Sequence, residues 1–577
     1  TGGAGIYYHF DYVGGPRNYK WLNTVPITKV WEQMHLAYEH GADRIWIVNV
    51  GDLKPMEFPM EFFLTLARNP GRWPSESIPE YTREWARREF GARYANEIAE
   101  LVSRYTKYNG WRKPELLEPG TFSLVNYQEA DRVVGAWREL TATAERINAL
   151  LPEAARPAFF ELVLYPVKAS AQVAELYVTA GKNRLFAAQG RSSANLLAAH
   201  ARALFDADAR LSHAFNHELL HGKWDHMMDQ THIGYTYWQQ PPSNTLPRLM
   251  EIAAPVPADM GIAVEGSTNA WPGSTNEAEL PEMDVFNGEP RWIDVFNRGQ
   301  EPFEFTATSL APWIHLRLGD ESDLWCGTDN SPRVRLSDLS SSVAWGTVRV
   351  ERRGWLDIDW KKAPKNRSKS LVTLERPGQA PVAVAVRTFF PTQPGKRFLT
   401  GYVQADGHIA IEAEHYSRRV NAGGVQWVKM ADYGRTLSSM IISPVTAKSA
   451  EPPRNCPCLE YQVYLFQAGP VEVTSIVAPT LNVVPGRGLR YGISFDDETP
   501  QVATAVPKGF FVDNGNRDWE ASVRNNCREI RTRHVISKPG YHTLKFWMVD
   551  PELALEKLVV DAGGLRPSYF GPPESAH

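Results

Sequence analysis

Cysteine is scarce in this chain: Cys326, Cys456, Cys458 and Cys527 are the only 4 in 577 residues. Cys456 and Cys458 lie too close for an ordinary disulfide, and no CxxC pair occurs. Neither a stapled scaffold nor a zinc ribbon is supported, and the redox compartment stays open. Long hydrophobic runs are missing as well. No apolar run reaches the roughly 18 residues that a spanning helix needs, so no membrane partner is expected. Charge of one sign is not in excess, with Lys+Arg 62 against Asp+Glu 66. Nothing therefore points to nucleic acid or an anionic surface. There is no internal repeat and no low-complexity tract. The chain opens on Thr1 with neither an initiator methionine nor a signal peptide, so an upstream segment is expected and secretion is left undecided.

Aromatics are plentiful. The 19 tryptophans, within 11% aromatic residues, suit large cores and sugar-stacking platforms equally well. The most informative stretch is Ile6-Tyr7-Tyr8-His9-Phe10-Asp11-Tyr12-Val13-Gly14-Gly15-Pro16-Arg17-Asn18-Tyr19-Lys20-Trp21. It is followed by Arg44-Ile45-Trp46-Ile47-Val48-Asn49-Val50-Gly51-Asp52-Leu53-Lys54-Pro55. Each is a short apolar run that breaks into Gly, Pro and charged residues, as a buried parallel strand does when its carboxyl end carries polar chemistry. Between them, residues 28–41 predict a helix with Val30, Met34, Ala37 and Tyr38 on one face, Thr28 as cap and Gly41 as stop. Strand, helix and strand make a βαβ crossover. Functional residues collect where such strands end, which places His9, Asp11, Tyr12, Asn49, Asp52 and Lys54 on one rim.

Further along, the period changes to 3.6 from about residue 84. Phe90, Tyr94, Ile98, Leu101 and Tyr105 form one stripe; Val133, Trp137, Leu140, Ala144, Ile147 and Leu151 form another. Helices are also expected over 158–179 and 192–222, giving an antiparallel bundle. Residues 241–290, rich in Pro, Asn, Glu and Asp, predict a connector. Short strands then alternate with turns at 302–308, 345–352, 370–375 and 382–388, in the manner of a β-sandwich. A second all-β stretch has runs at 459–466, 471–477, 490–495, 543–549 and 558–561.

The two opening blocks resemble glycoside hydrolase family 115, the xylan α-1,2-glucuronidases. The resemblance continues through residues 216–242 (NHELLHGKWDHMMDQTHIGYTYWQQPP) and the ending Ser568-Tyr569-Phe570-Gly571-Pro572-Pro573-Glu574-Ser575. It implies a (β/α)8 barrel that removes glucuronic acid or its 4-O-methyl ether from xylose with inversion, followed by helical and β-sandwich domains. A full barrel takes about 250 residues, and only about two βα units precede the helices. The chain is therefore expected to be the carboxyl-terminal part of a longer enzyme. The expected division is 1–83 as the end of the barrel, 84–240 as the helical bundle, 241–290 as the connector, 291–400 as an Ig-like sandwich and 401–577 as a carbohydrate-binding-like sandwich.

On the rim, Asp11 and Asp52 can act as acid or base, or tune their neighbours. His9 and Tyr12 can bond sugar hydroxyls, and Asn49 can donate and accept at once. Arg17, Lys20 and Lys54 are candidates to pair with a uronic carboxylate. The resemblance ties His9, Tyr12 and Asn49 to positions implicated in activity or substrate contact. The expected site is thus Asp11 and Asn49 as catalytic groups, with His9, Tyr12, Arg17, Lys54 and Asp52 binding substrate, and no cofactor or metal. Inverting hydrolysis needs two carboxyls about 6.5–9.5 Å apart. By the resemblance the family's best candidates lie upstream of Thr1, so this chain is expected to hold part of a site. Its partners would be glucuronoxylan or an aldouronic acid and the missing amino-terminal part, with a homodimer as the candidate assembly. Family and polymeric substrate imply a secreted or periplasmic bacterial protein.

Two alternatives stand beside this reading. His217-Glu218-Leu219-Leu220-His221 is an HExxH motif, which on a helix puts two imidazoles on one face for a zinc peptidase. The extended form wants a histidine at position 227, where Met227 stands; packing of the bundle near the rim is the other use of this turn. A non-catalytic carbohydrate-binding protein is the second alternative. Glu412 and Glu414, in a segment that looks like the first strand of carbohydrate-binding sandwiches, would hold structural calcium or simply face solvent. Asp496-Asp497-Glu498 reads as a bare acidic turn.

Overall fold

The computed structural model of the chain describes residues 2–319, 341–484, 486–513 and 515–577, and Cys326 lies outside them. Strand β1 (Ile6–His9) and strand β2 (Trp46–Asn49) pair in parallel, with Ile6 opposite Trp46 and His9 opposite Asn49. Helix α1 (Ile27–Glu39) makes the crossover. Its Val30 and Met34 are fully buried. Thr28 does not cap this helix: Pro26 holds the cap position, and the Thr28 hydroxyl is buried without a hydrogen-bond partner. Among the described residues no further strand pairs with β1 or β2. Both edges are open, and one face shows Tyr7 and Ile47, 58% and 49% exposed.

Helices follow: α2 (Glu57–Arg68), α3 (Ile78–Phe90), α4 (Ala95–Trp111), α5 (Glu129–Leu150), α6 (Tyr165–Ala188) and α7 (Ser193–His213). The stripe expected to run unbroken from Phe90 to Tyr105 is split between α3 and α4. Gly91 separates them at φ +83°, a left-handed turn that breaks the helical ladder. The apolar stripe residues Ile98, Leu101, Tyr105, Val133, Trp137, Leu140, Ala144 and Ile147 are buried, as the 3.6 period requires. One π-helical turn, Phe160–Leu164, leads into α6.

Four β-sheets fill the rest of the described chain. The first runs Met260–Val264, Arg291–Asn297, Glu351–Ile358, Ile314–Leu318 in spatial order. The second centres on Val382–Phe390, Asn366–Glu375, Phe303–Ser309 and Val343–Val348. Met260, Ile262, Val295, Phe305, Val372 and Val384 join these two in one apolar core. Residues 241–290 are thus more than a connector, because Met260–Val264 is buried along its whole length. The run 345–352 is likewise two strands, turning between Val348 and Glu351. The last two sheets share a second core that includes Ile409, Leu459, Tyr461, Val473, Tyr491, Phe546 and Leu558. The segment of Glu412 and Glu414, expected as a first strand, forms the strand His408–Glu412, which ends before Glu414.

The ends of the chain meet. Met430, Tyr433, Ala478, Ala554 and Phe570 join the core built by α1 to α6. Phe570 packs edge-on to Trp111, ring centroids 5.0 Å apart, and stacks near Phe122 at 5.6 Å. The Glu129 carboxylate, fully buried at the start of α5, accepts the Phe570 N–H at 2.7 Å and the Tyr569 N–H at 2.9 Å.

Candidate active site

Parallel register brings His9 and Asn49 side by side at the carboxyl ends of β1 and β2. The Gly51 N–H donates to Asn49 Oδ1 at 3.3 Å, which turns the amide nitrogen toward His9, where Nδ2 lies 3.3 Å from Nδ1. The Asp11 carbonyl lies 3.2 Å from the same Nδ1. With its proton on Nε2, the ring accepts from Asn49; with its proton on Nδ1, it donates to the Asp11 carbonyl. The imidazole thus has a partner for either tautomer without moving.

Tyr12 stands edge-on to His9 at 5.5 Å. Its backbone exchanges two hydrogen bonds of 3.0 Å with Tyr19, closing the intervening loop. Inside that loop the Gly14 N–H donates to Asn18 Oδ1 at 2.8 Å. Burial raises the Tyr12 phenol above its ordinary pKa, and the Asp513 carboxylate adds to the effect. Asp11 is 4% exposed, and its Oδ1 has no hydrogen-bond partner. Burial pushes its carboxyl up against the opposing pull of His9 and Lys20. Gly51, at φ +67°, faces it so closely that a Cβ there would sit 2.7 Å from Asp11 Oδ2. Only glycine fits this turn.

The other expected ligands already have partners. Asp52 accepts from the Gln230 side chain. Lys54 pairs with Glu57 and with Glu161, the latter at 2.6 Å, and its Nζ stands 4.1 Å from the Trp224 ring centroid. Burial opposes the Lys54 charge, but hydrogen bonds to Glu161 and Glu57 hold its pKa above the ordinary value. Glu161 is pushed up to about 7 by burial and by Glu57, against the pull of Lys54. Arg17 turns to the helices, 2.5 Å from Glu118 and within 3.3 and 3.4 Å of the Glu115 and Leu117 carbonyls. The structure therefore gathers His9, Asn49, Asp11 and Tyr12, keeps Asp52 and Lys54 at the rim in paired form, and takes Arg17 away. Lys20 offers its backbone N–H to Glu115, at 2.8 Å.

The HELLH segment is not the helical pair its spacing predicts. Helix α7 ends at His213, a π turn covers Ala214–Glu218, and Leu220 and His221 adopt φ of +49° and +57°. That reversal breaks the i, i+4 relation between His217 and His221. His217 Nδ1 instead lies 3.2 Å from Asp225 Oδ1. Among the described residues no group of three or more His, Cys, Asp or Glu is arranged to hold a metal ion. The stretch that follows lies across the strand ends. The Trp238 carbonyl accepts from the Asn18 N–H at 2.9 Å, and His232 stacks on Trp21 at 3.5 Å.

Sequence reading missed Glu115, Glu161 and Trp519. Glu115 Oε1 accepts the N–H groups of Lys20 and Trp21 at 2.8 and 3.0 Å, fixing the loop after β1. Trp519 packs edge-on to Tyr12 at 5.5 Å from the far end of the chain, and no local pattern announces it. Farther off, Glu412 does not face solvent: it is 3% exposed, accepts from Thr436 and lies 3.4 Å from Lys557. Glu414 pairs with Lys429 and accepts the Ser438 N–H at 3.1 Å. The acidic turn is not bare either, since Asp496 and Glu498 each lie 2.6 Å from His542 and His534 respectively.

Comparison with known proteins adds the family. A model described as glycosyl hydrolase family 115 matches residues 1–116, and one described as the family 115 C-terminal domain matches residues 401–574. No curated protein matches the chain. Among solved structures it is similar to a family GH115 4-O-methyl-alpha-glucuronidase with specificity for decorated arabinogalactans. That likeness is 18% identical at a TM-score of 0.56, over 97% of this chain and 51% of the other. The chain thus spans about half the length of that structure, and shares with it a helical segment followed by several β-sheets. Two short structures also resemble part of the chain. One is the C-terminal CBM6 of a laminarinase from Zobellia galactanivorans, with 14% identity, TM-score 0.18, 27% of this chain and 98% of that one. The other is a family 35 carbohydrate binding module from Clostridium thermocellum, with 16% identity, TM-score 0.19, 26% of this chain and 98% of that one. With a family match at each end and the same fold along nearly its whole length, the chain belongs to glycoside hydrolase family 115.

Proposed function

We propose that this chain is the carboxyl-terminal part of a glycoside hydrolase that removes α-1,2-linked glucuronic acid, or its 4-O-methyl ether, from xylan or xylo-oligosaccharides with inversion. The observation that carries the reading is the His9–Asn49 contact at adjacent parallel strand ends, in a chain of this family. His9 Nε2 is the ring nitrogen left for substrate, because Nδ1 already faces Asn49 and the Asp11 carbonyl. Asn49 fixes the ring, and Tyr12 walls the sugar beside it. Asp11, buried beneath the rim, acts through the turn at Gly51 as a positioning group rather than on the sugar.

In this reading β1 and β2 are the last strands of a (β/α)8 barrel whose other strands cover their two open edges and the exposed Tyr7 and Ile47. Residues 84–240 are its helical bundle, and 291–400 and 401–577 its two sandwiches, the first drawing strands from 241–290. The general acid and base then come from the upstream strands. The enzyme works outside the cytoplasm of a bacterium, where its polymer is met. The paired states of Lys54 and Arg17 disfavour them as ligands of a uronic carboxylate. A second substrate class follows from the related structure, whose described specificity is for decorated arabinogalactans.

The test is uronic acid release by the complete enzyme and by residues 1–577 alone, each offered glucuronoxylan and a decorated arabinogalactan. The complete enzyme should release uronic acid from glucuronoxylan, and the isolated chain none. Release by the isolated chain would show that it holds its own acid. Release only from arabinogalactan would move the substrate class.

A further inference from the structure

We infer that the segment before the last helix, residues 507–513, forms a wall of the active site that holds the main chain of the polysaccharide. The inference rests on the glucuronidase reading above and adds a specificity element to it.

Helix α8 (Arg517–Asn525) springs from the carboxyl-terminal sheets, yet its Trp519 packs on Tyr12 at the rim. Its far end is bolted to the first part of the chain. Arg112 donates to Asn525 Oδ1 at 2.9 Å, Lys29 to Asn526 Oδ1 at 2.7 Å, and the Tyr569 hydroxyl to the Asn525 carbonyl at 3.3 Å. Such anchors fix where α8 begins. The Asn516 side chain caps that start by accepting from Trp519, and its amide donates to the Phe511 carbonyl at 2.8 Å. Arg528 stands 4.7 Å over the Phe510 ring and pairs with Asp518 at 2.7 Å. The preceding segment is therefore a braced tip. It carries Phe511 and Val512, 58% and 47% exposed, while its Asp513 is near enough to raise the Tyr12 phenol.

An exposed aromatic held at the mouth of a polar site has a definite ligand chemistry. The C–H face of a pyranose ring is apolar and stacks on an aromatic plane, while the hydroxyls at its edge stay in water. His9 and Asn49 address the uronic residue that enters the rim. Phe511 and Val512 lie outside it, where the sugars carrying that residue must pass. Trp519, 6% exposed, only positions Tyr12 and the tip.

The test compares the complete wild-type enzyme with Phe511→Ala and Phe511→Trp on glucuronoxylan and on the shortest uronic-substituted xylo-oligosaccharide. Phe511→Ala should lower kcat/KM for the polymer about tenfold more than for the oligosaccharide, mainly through KM, and Phe511→Trp should restore it. Removing an exposed side chain leaves folding intact, so melting temperatures should agree. A polymer loss no larger than the oligosaccharide loss overturns the wall and leaves the glucuronidase reading standing. If wild type releases uronic acid from neither substrate, the glucuronidase reading fails and the wall fails with it.

Discussion

Asn49 and His9 are cross-strand partners at the ends of two parallel strands, and the Asn49 amide nitrogen lies 3.3 Å from His9 Nδ1. Because Gly51 holds the other end of that amide, the pair sets the tilt of the imidazole.

Asn49→Ala in the complete enzyme should lower kcat by about two orders of magnitude while leaving stability nearly unchanged, since a half-exposed rim amide carries little of the core. Asn49→Asp should be at least as damaging. A carboxylate opposite Nδ1 draws the proton there and leaves Nε2 without one.

Lys54→Met should destabilise the protein by about 3 kcal/mol, because it leaves Glu57 and Glu161 facing each other with no cation between them. The penalty depends on pH in a stated direction. Burial and Glu57 already raise the Glu161 carboxyl, and losing Lys54 raises it further, so acid protonates it and relieves the repulsion. The melting-temperature deficit of the variant should be smaller at pH 5 than at pH 8.

Glu556, 4% exposed, is pushed up to about 7 by burial, against the pull of Arg435, Lys29 and Lys107. Its folded value lies above the ordinary 4.5. Its contribution is therefore complete below about pH 4.5 and lost as the pH rises through about 7. Thermal denaturation of Glu556→Gln should show a flatter decline between pH 5 and pH 8 than wild type.

His217→Gln and His221→Gln should each shift stability by no more than about 0.5 kcal/mol, as exposed substitutions do. Chelator should leave uronic acid release where it was, because the reversal at Leu220 and His221 separates the two imidazoles. Loss of activity on chelation, with recovery on adding zinc, would bring the metal reading back.

The crossover at the start was legible because Ile6–His9 and Trp46–Asn49 each end in polar residues, and a parallel register needs no side-chain detail to bring His9 to Asn49. The helical stripes were legible for the same reason of period, up to Gly91, whose positive φ splits what spacing reads as one helix. Met260–Val264 was hidden because its surroundings are rich in turn formers. The HELLH segment misled, since spacing alone says nothing of a left-handed turn at Leu220. Tertiary partners were out of reach altogether. Glu118 beside Arg17, Glu161 beside Lys54, and the Trp519 ring against Tyr12 come from distant parts of the chain and leave no local mark.

The central claim is that His9 meets the uronic sugar at the strand ends. Its most direct test is uronic acid release from glucuronoxylan by the complete enzyme beside its His9→Ala variant, with melting temperatures measured on both. The account predicts release by wild type, a loss of about two to four orders of magnitude in the variant, and melting temperatures that agree. Release by His9→Ala at the wild-type rate would contradict it.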